Sequence, residues 1–553
     1  MNLIDRRLGL LFAAFVVLLA LVMVRAAWVQ GVNGGSLSAE AQSQQVQTIE
    51  VPGSRGTIFD RNGSQLAVSE DAATVIATPY QVKDPTGTAH KLAKILGANQ
   101  DDILQTISDR SSGFAYVQRK ATLDQADQIE KLSLPGIAIL PDSRRTYPQG
   151  DIASQVIGTV GIDNQGLTGL EASEDSVLHG TDGQREVVRD ALGDELERNT
   201  LDAAQAGSNL KLTIDRSIQA ETEDVLAGIG QTYHPEGATA IVMDPRNSQI
   251  LAMANYPTFD PANPSAATPQ ELGNMATGFT YEPGSTFKAF TVAGALQENL
   301  VTPDTMFDIP PELQVADRTI TDAEDHGYET LPVSQILAQS SNIGAVEIGQ
   351  KLGADDFAKW VQNFGFGAPT GVQFPGEEQG IVIPVKDYSG STMGNLPIGQ
   401  GLSVTPMQMA AAYSAIADGG VLRKPQLVLS ENGDAVPEDS GHRVISSKYA
   451  DQLRDMLKGV LAPGGTASEV SVPGYTLAGK TGTAQKVVDG TYSDTQFVAS
   501  FVGFAPADDP QLLVAVVVDD PKGDYYGGTV AAPAFGEIAK FALPYLGIPP
   551  DQG

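Results

Sequence analysis

The sequence predicts an α+β protein made of an N-terminal membrane helix, a smaller mixed region, and a large unit whose first and last strands share one antiparallel sheet. Three observations carry this. Residues 8–24 hold no charge and follow Arg6 and Arg7. Between residues 51 and 205 short β-branched runs alternate with helical stretches, and beyond residue 206 strongly apolar strand patterns stand at both ends of a helix-rich interior. At 553 residues the chain needs more than one hydrophobic core. Its net charge of -32 repels phosphate backbones, so nucleic acid is not an expected partner, and the charge is read as a solvated surface. The absence of cysteine excludes disulfides, thiolate metal sites and a cysteine nucleophile. The five histidines, His90, His179, His234, His326 and His442, lie too far apart for a helical metal pair, so no metal site is expected and the nucleophile must be oxygen or nitrogen.

Taken in order, residues 1–29 read as a cytoplasmic tip and a single transmembrane helix. The uncharged run continues past a snorkelling Arg25 to the interfacial Trp28, and the flanking arginines set the N-terminus inside. A cleaved signal peptide is the rival, but no small-x-small cleavage site follows the apolar run cleanly. Residues 30–50 turn to Gly, Ser, Ala and Gln and suit a stalk. In the region 51–210, strands are expected at 73–78, 156–162 and 186–188, with helices at 88–96 and 124–132. The last unit, 211–548, opens with a strand at 210–214 and a helix from Asp215. A hairpin follows, its strands 238–243 and 249–254 joined through Asp244-Pro245-Arg246-Asn247-Ser248. It closes with strands at 475–478, 497–504 and 512–518 and a helix from Pro533 to 546, leaving a helical insertion at about 290–465.

Three short motifs carry the chemistry. Ser-x-x-Lys occurs at Ser208–Lys211 and at Ser285–Lys288. The first is assigned to an alternating strand, where positions i and i+3 face opposite ways. The second follows Glu282-Pro283-Gly284 and opens a helix, so serine and lysine stack on one face and can share a proton. A lysine is a base near neutral pH only if its pKa falls, which burial, the helix dipole and a second cation would each promote. Lys480 in Lys480-Thr481-Gly482-Thr483 is the candidate cation, and Ser340-Ser341-Asn342 offers a hydroxyl to relay a proton and an amide to hold a carbonyl. Ser340 and Asn342 also read as ordinary turn or cap residues when taken alone. A rival from another class is the run Gly474 to Thr481, which matches the phosphate-loop pattern letter for letter, with residues 512–519 imitating a strand that ends in a metal-binding Asp. A phosphate loop needs a strand before it and a helix after it. Here polar, Gly-rich residues precede, and a hairpin with Asp489-Gly490 at its turn follows.

In order and spacing, Ser285-x-x-Lys288, Ser340-x-Asn342 and Lys480-Thr481-Gly482 resemble the active-site set of penicillin-binding proteins. Arg55-Gly56-Thr57-Ile58-Phe59-Asp60-Arg61-Asn62-Gly63, Arg145-Thr146-Tyr147-Pro148 and Gly166-Leu167-Thr168-Gly169-Leu170-Glu171 resemble the class B pedestal signature, and Gly399-Gln400-Gly401 with Thr405-Pro406 also fits. The resemblance covers nearly the whole chain. It implies an anchor, a pedestal (dimerisation-type) domain and a serine D,D-peptidase or β-lactamase-like transpeptidase domain. The implied activity is a cofactor-free peptidoglycan D,D-transpeptidase outside the cell membrane, inhibited covalently by β-lactams, with septal use favoured over lateral-wall use. By the same resemblance, Ser285 attacks the D-Ala-D-Ala carbonyl, Lys288 takes its proton, Ser340 passes a proton to the leaving D-Ala, and Asn342 binds the peptide. Lys480, Thr481, Gly482 and Thr483 form the strand that holds the terminal carboxylate, and backbone N–H groups of Ser285 and Thr483 form the oxyanion hole. Expected partners are stem peptides as donor and amine acceptor, β-lactams, the membrane, a membrane glycosyltransferase and division proteins. The alternatives are a D,D-carboxypeptidase or β-lactamase-type hydrolase, and a non-enzymatic β-lactam sensor. Against the first, the Glu-x-x-x-Asn element of class A β-lactamases is not reproduced after Glu377 or Glu378; against the second, all three motifs are intact. A bifunctional glycosyltransferase is disfavoured because the pedestal signatures fill the space it would need.

Overall fold

The structure, a computed structural model, describes residues 3–31, 46–189 and 195–552. Residues 32–45 of the expected stalk lie outside the described residues. Helix α1, Leu3–Gly31, contains a 26-residue segment from Arg6 to Gly31 whose most apolar 18 residues have a mean hydropathy of 2.7 and are not buried by protein. A helix apolar on all sides and about 39 Å long is long enough to cross the hydrocarbon of a bilayer. The described residues fall into two compact units, which are not contiguous in sequence.

One unit comprises residues 1–54, 70–144 and 180–207. It contains an antiparallel sheet of Val46–Val51, Gly183–Arg189 and Glu195–Asp202. It also packs helices Pro85–Leu96, Gln100–Ser108 and Leu123–Glu130 on a small core that includes Val75, Leu92, Ile103, Ile107 and Ile129. Local chemistry fixes these helices. Asp84 and Asn99 accept backbone N–H groups at two N-termini, Thr122 and Gln125 form a reciprocal capping box at the third, and Gly97 ends the first in a left-handed turn.

The second unit comprises residues 55–69, 145–179 and 208–553. Helix α2, Arg216–Tyr233, is capped by the Asp215 carboxylate, which accepts from Ser217 N and Ile218 N. A five-stranded antiparallel sheet follows from β1 (Gly237–Asp244), β2 (Gln249–Tyr256), β3 (Ala478–Val488), β4 (Thr491–Ala505) and β5 (Leu512–Asp519), in spatial order β2-β1-β5-β4-β3. The opening hairpin and the closing strands therefore meet at the β1–β5 pair, as the pattern of the two chain ends predicts. Alternate residues enter two different cores: Ala240 and Val242 pack with α2, while Ile241 and Met243 pack with the helical insertion. Burial of both faces is why these strands read as continuous apolar runs. The insertion includes α3 (Lys288–Gln297), α4 (Asn342–Leu352) and α5 (Pro406–Ala417), and every residue of α5 is buried behind a Thr405–Gln408 capping box. Helix α6, Gly527–Tyr545, packs on the α2 face of the sheet.

Within this unit the three upstream motifs converge. Glu171 is fully buried and accepts from Arg55 Nε at 2.9 Å and from Arg145 Nε at 2.7 Å, while Arg145 also donates to the Gly56 carbonyl. One carboxylate thus fixes two guanidinium groups that arrive from separate stretches of chain.

Four expectations are corrected. Residues 156–162 are not a strand: Ser154–Ile157 form a helical turn that ends at Gly158, φ 84°, where a Cβ would lie 1.9 Å from the Thr168 carbonyl. The β-branched run misled because a close backbone approach decides the local path. Tyr475 lies outside β3, in a turn closed by its N–H on Val472 O. Ser208 precedes its strand, Leu210–Leu212. The last helix begins at Gly527, with Pro533 inside it; Tyr233 OH donates at 3.3 Å to Thr529 O, the carbonyl that Pro533 cannot serve.

Candidate active site

The candidate serine stands at the head of α3 on a braced turn. Gly284, φ 55°, starts a single 3₁₀ turn through Phe287, and α3 continues from Lys288. Thr286 Oγ1 donates to Pro283 O at 2.7 Å, and the buried Tyr413 OH donates to Thr286 O at 2.6 Å. From outside, Gly284 N donates to Gly399 O, and Gly399, φ 78°, comes so close that a Cβ would stand 2.2 Å from Gly284 O. The Gly399-Gln400-Gly401 motif is therefore the rear brace of this turn. Gly401 N also donates to Glu282 Oε1 at 3.0 Å. Ser285 remains half-buried, while Gly284, Thr286, Phe287 and Lys288 are buried.

Lys288 is 1% exposed. Its ammonium donates to Ser340 Oγ at 3.1 Å, Ser340 O at 2.5 Å and Asn342 Oδ1 at 2.7 Å. Ser340 sits in the left-handed region, φ 65°, at the end of the helix Val333–Gln339, so the chain reverses there and α4 begins at Asn342. Burial pushes the Lys288 pKa down to about 7, against a smaller upward pull from the Asp322 carboxylate. A buried lysine with that pKa is half unprotonated near neutrality, the state a base requires.

Strand β3 forms the other wall. It is an edge strand, paired by Lys480↔Val502, Thr481↔Phe501 and Thr483↔Ala499. Gly482 lets it approach the serine turn: a Cβ there would stand 2.9 Å from Pro283 O, 3.0 Å from Thr286 Cγ2 and 2.4 Å from Ser500 Oγ. Lys480 is fully buried, with Nζ 3.2 Å from Thr481 O. Burial first, and the nearby Lys288 charge second, drive its pKa well below the ordinary lysine value. Thr481 Oγ1 shares a 2.6 Å bond with Thr466 Oγ1, and Thr483 Oγ1 accepts Gly527 N at 3.0 Å. By contrast, Lys211 of the other Ser-x-x-Lys pair is exposed, so it lacks the burial that lowers the Lys288 pKa.

Sequence reasoning missed Asp322. Its carboxylate accepts from Ser341 Oγ at 2.7 Å, Ile343 N at 3.0 Å and Asn342 N, so it caps α4 together with Ser341. Asn342 is then fixed at both ends, with Nδ2 on Thr321 O and Oδ1 on Lys288. No motif marks Asp322; the only signal was an acidic loop shortly before the Ser340-Ser341-Asn342 run. Glu377 accepts from Thr370 N and Oγ1 and from Gly371 N, which ties it to its own turn. No cluster of three His, Cys, Asp or Glu side chains suited to a metal occurs among the described residues.

The chain has known relatives. Residues 238–540 match the penicillin binding protein transpeptidase domain, and residues 50–212 match the penicillin-binding protein dimerisation domain. The chain is 37% identical to stage V sporulation protein D of Bacillus subtilis, over 99% of this chain and 87% of that protein. It is 33% identical to the peptidoglycan D,D-transpeptidase FtsI of Escherichia coli K12, over 100% and 93%. Among solved structures, penicillin binding protein 3 of Mycobacterium tuberculosis complexed with ampicillin superposes with a TM-score of 0.71 at 29% identity, covering 91% of this chain and 98% of that one. The chain belongs to the class B penicillin-binding proteins.

Proposed function

We propose that this chain is a peptidoglycan D,D-transpeptidase that crosslinks stem peptides through an acyl-enzyme on Ser285, and that β-lactams block it by acylating the same oxygen. The observation that carries the reading is Lys288: buried, held on Ser340 Oγ and Asn342 Oδ1, and with a pKa pushed to about 7 one helical turn from Ser285. Lys288 takes the Ser285 proton as Oγ bonds to the carbonyl carbon of the penultimate D-Ala. Backbone N–H groups of Ser285 and Thr483 receive the oxyanion. Ser340 delivers a proton to the departing amine as the peptide C–N bond breaks, and the terminal D-Ala leaves. An amine from a second stem peptide then attacks the ester, forming the crosslink and returning Ser285.

The edge strand β3 supports an extended peptide as donor, because its outer backbone groups can pair with an added strand. Asn342 holds the peptide, and Lys480 with Thr481 and Thr483 holds the terminal carboxylate, with Gly482 keeping the strand close to Ser285. No cofactor enters this scheme. The ties on Glu377 favour transfer to an amine over a hydrolase with a dedicated water-activating glutamate.

The same reading divides the chain into a tip and membrane helix (1–29), a stalk (30–50), a pedestal (51–210) and a transpeptidase domain (211–548), and the two matched family spans support it. Arg6 and Arg7 set the N-terminus in the cytoplasm, leaving the catalytic domain outside the membrane. A membrane glycosyltransferase and division proteins are the partners, and septal wall the place of work.

Ser285→Ala should abolish covalent labelling by fluorescent penicillin without unfolding the protein, and the wild-type penicilloyl-enzyme should persist far longer than a turnover on peptide. Labelling of Ser285→Ala at the normal rate, or at Ser208, would overturn the nucleophile assignment. Rapid release of the drug by water would favour the hydrolase.

A further inference from the structure

Behind the Ser340–Asn342 segment, Asp322 has a second neighbour that the reaction scheme above does not use. His326 Nε2 lies 3.2 Å from Asp322 Oδ2, the same oxygen that receives Ser341 Oγ, and its Nδ1 lies 2.7 Å from Gly327 O. A backbone carbonyl and an ionised carboxylate can only accept, and a neutral imidazole has one N–H. Both contacts are satisfied together only by the doubly protonated ring. Glu329 Oε1, 3.7 Å from Nδ1, adds a further negative charge, and Glu324 and Asp325 precede His326 in its own loop. The other charged group on this pathway is Lys288, whose ammonium is favoured by Asp322.

We propose that His326 is a positioning residue for acylation: as an imidazolium it pairs with Asp322, fixes the carboxylate that caps the Ser340–Asn342 turn, and offsets the negative charge that would otherwise keep Lys288 protonated. The inference rests on Lys288 acting as the base. The direction of the His326 pKa agrees: it is raised, chiefly by the Gly327 carbonyl, with Asp322 and Glu329 adding to it. The sign follows. Removing the imidazolium leaves Asp322 uncompensated, so Lys288 holds its proton to higher pH and the base form appears later. Removing Asp322 acts in the opposite sense on Lys288, while loosening the turn.

The test is the rate of acylation of the full-length protein in detergent by a fluorescent penicillin as a function of pH, for wild type, His326→Gln, His326→Lys and Asp322→Asn. His326→Gln should move the rising limb upward by about half a pH unit, a loss of roughly threefold on the acid side and little at the plateau. His326→Lys, which keeps a cation at every pH, should restore the limb to its wild-type position. Asp322→Asn should lower the plateau and move the limb downward. A purely structural role for His326 would lower the plateau in both His326 variants and leave the limb in place, and that result would overturn the proposal. Absence of acylation in wild type would instead remove the reading of Lys288 on which it rests.

Discussion

Gly482→Ala is the sharpest test of how the strand and the serine turn depend on one another. The added Cβ would stand 2.4 Å from Ser500 Oγ, 2.9 Å from Pro283 O and 3.0 Å from Thr286 Cγ2. Ser500 can turn its hydroxyl away. The Pro283 carbonyl cannot, because it already accepts Thr286 Oγ1 and belongs to the turn braced by Gly399. Either β3 or the serine turn must move by several tenths of an ångström. Overpacking of this kind destabilises by about 1–3 kcal/mol, and since a misplacement of reacting groups by about 1 Å can cost on the order of 10²-fold, a shift of several tenths should lower the rate by about tenfold. The assay is the second-order rate of penicillin acylation alongside thermal unfolding. Gly228→Ala on α2 is the control: nothing lies within 4 Å of its Cβ position, and the substitution should stabilise by about 0.5–1 kcal/mol with acylation unchanged. Wild-type acylation by Gly482→Ala would show that the spacing of β3 from the serine turn does not limit the reaction.

Three further outcomes are expected. Acylation by penicillin should rise with pH through a midpoint of about 7, because only unprotonated Lys288 accepts the serine proton; a flat profile between pH values of about 5 and 9 would remove Lys288 as base. Burial disfavours the charge on Lys480, whereas a ligand carboxylate favours it, so penicillin binding to Ser285→Ala should raise the Lys480 pKa and take up a proton at a pH below the ordinary lysine range; calorimetry in buffers of differing ionisation enthalpy, run across pH, reads this, and binding without uptake at any pH would refute it. Glu171→Ala leaves two buried guanidinium groups without their shared carboxylate and should destabilise the unit by about 3–5 kcal/mol, read by denaturant unfolding; a loss below about 1 kcal/mol would mean that Asp175 and the backbone carbonyls on Arg55 and Arg145 suffice.

What could be read from the sequence followed local rules. The hairpin of β1 and β2, the capped start of α2 at Asp215 and the turn at Asp489-Gly490 each follow from residue types within a few positions. The preference for Ser285–Lys288 over Ser208–Lys211 came from helical against strand geometry; the structure keeps that order for a further reason, the burial of Lys288 against the exposure of Lys211. What escaped depends on long-range approach. Gly158 leaves room for the Thr168 carbonyl where a Cβ would stand, Tyr233 relieves Pro533, and Asp322 reaches the start of α4 from a loop with no periodicity of its own. Motif spacing locates the candidate site residues, whereas the side chains that orient them are visible only once the chain has folded back.

The pairing of β1 with β5 also sets a timetable for synthesis. In the topology proposed above, once β1 and β2 emerge on the far side of the membrane their hairpin can close, but the open edge of β1 must wait for about 270 further residues to be made before its central partner arrives. At about 5–20 residues per second that is roughly 15–50 s, during which an apolar strand edge has no neighbour while the whole helical insertion is made. Lys480 and α6 arrive in the same late stretch. A chain that stalls before residue 512 carries Ser285, Lys288 and Asn342 but lacks the central strand of its sheet, so premature arrest should yield an aggregation-prone, catalytically silent product.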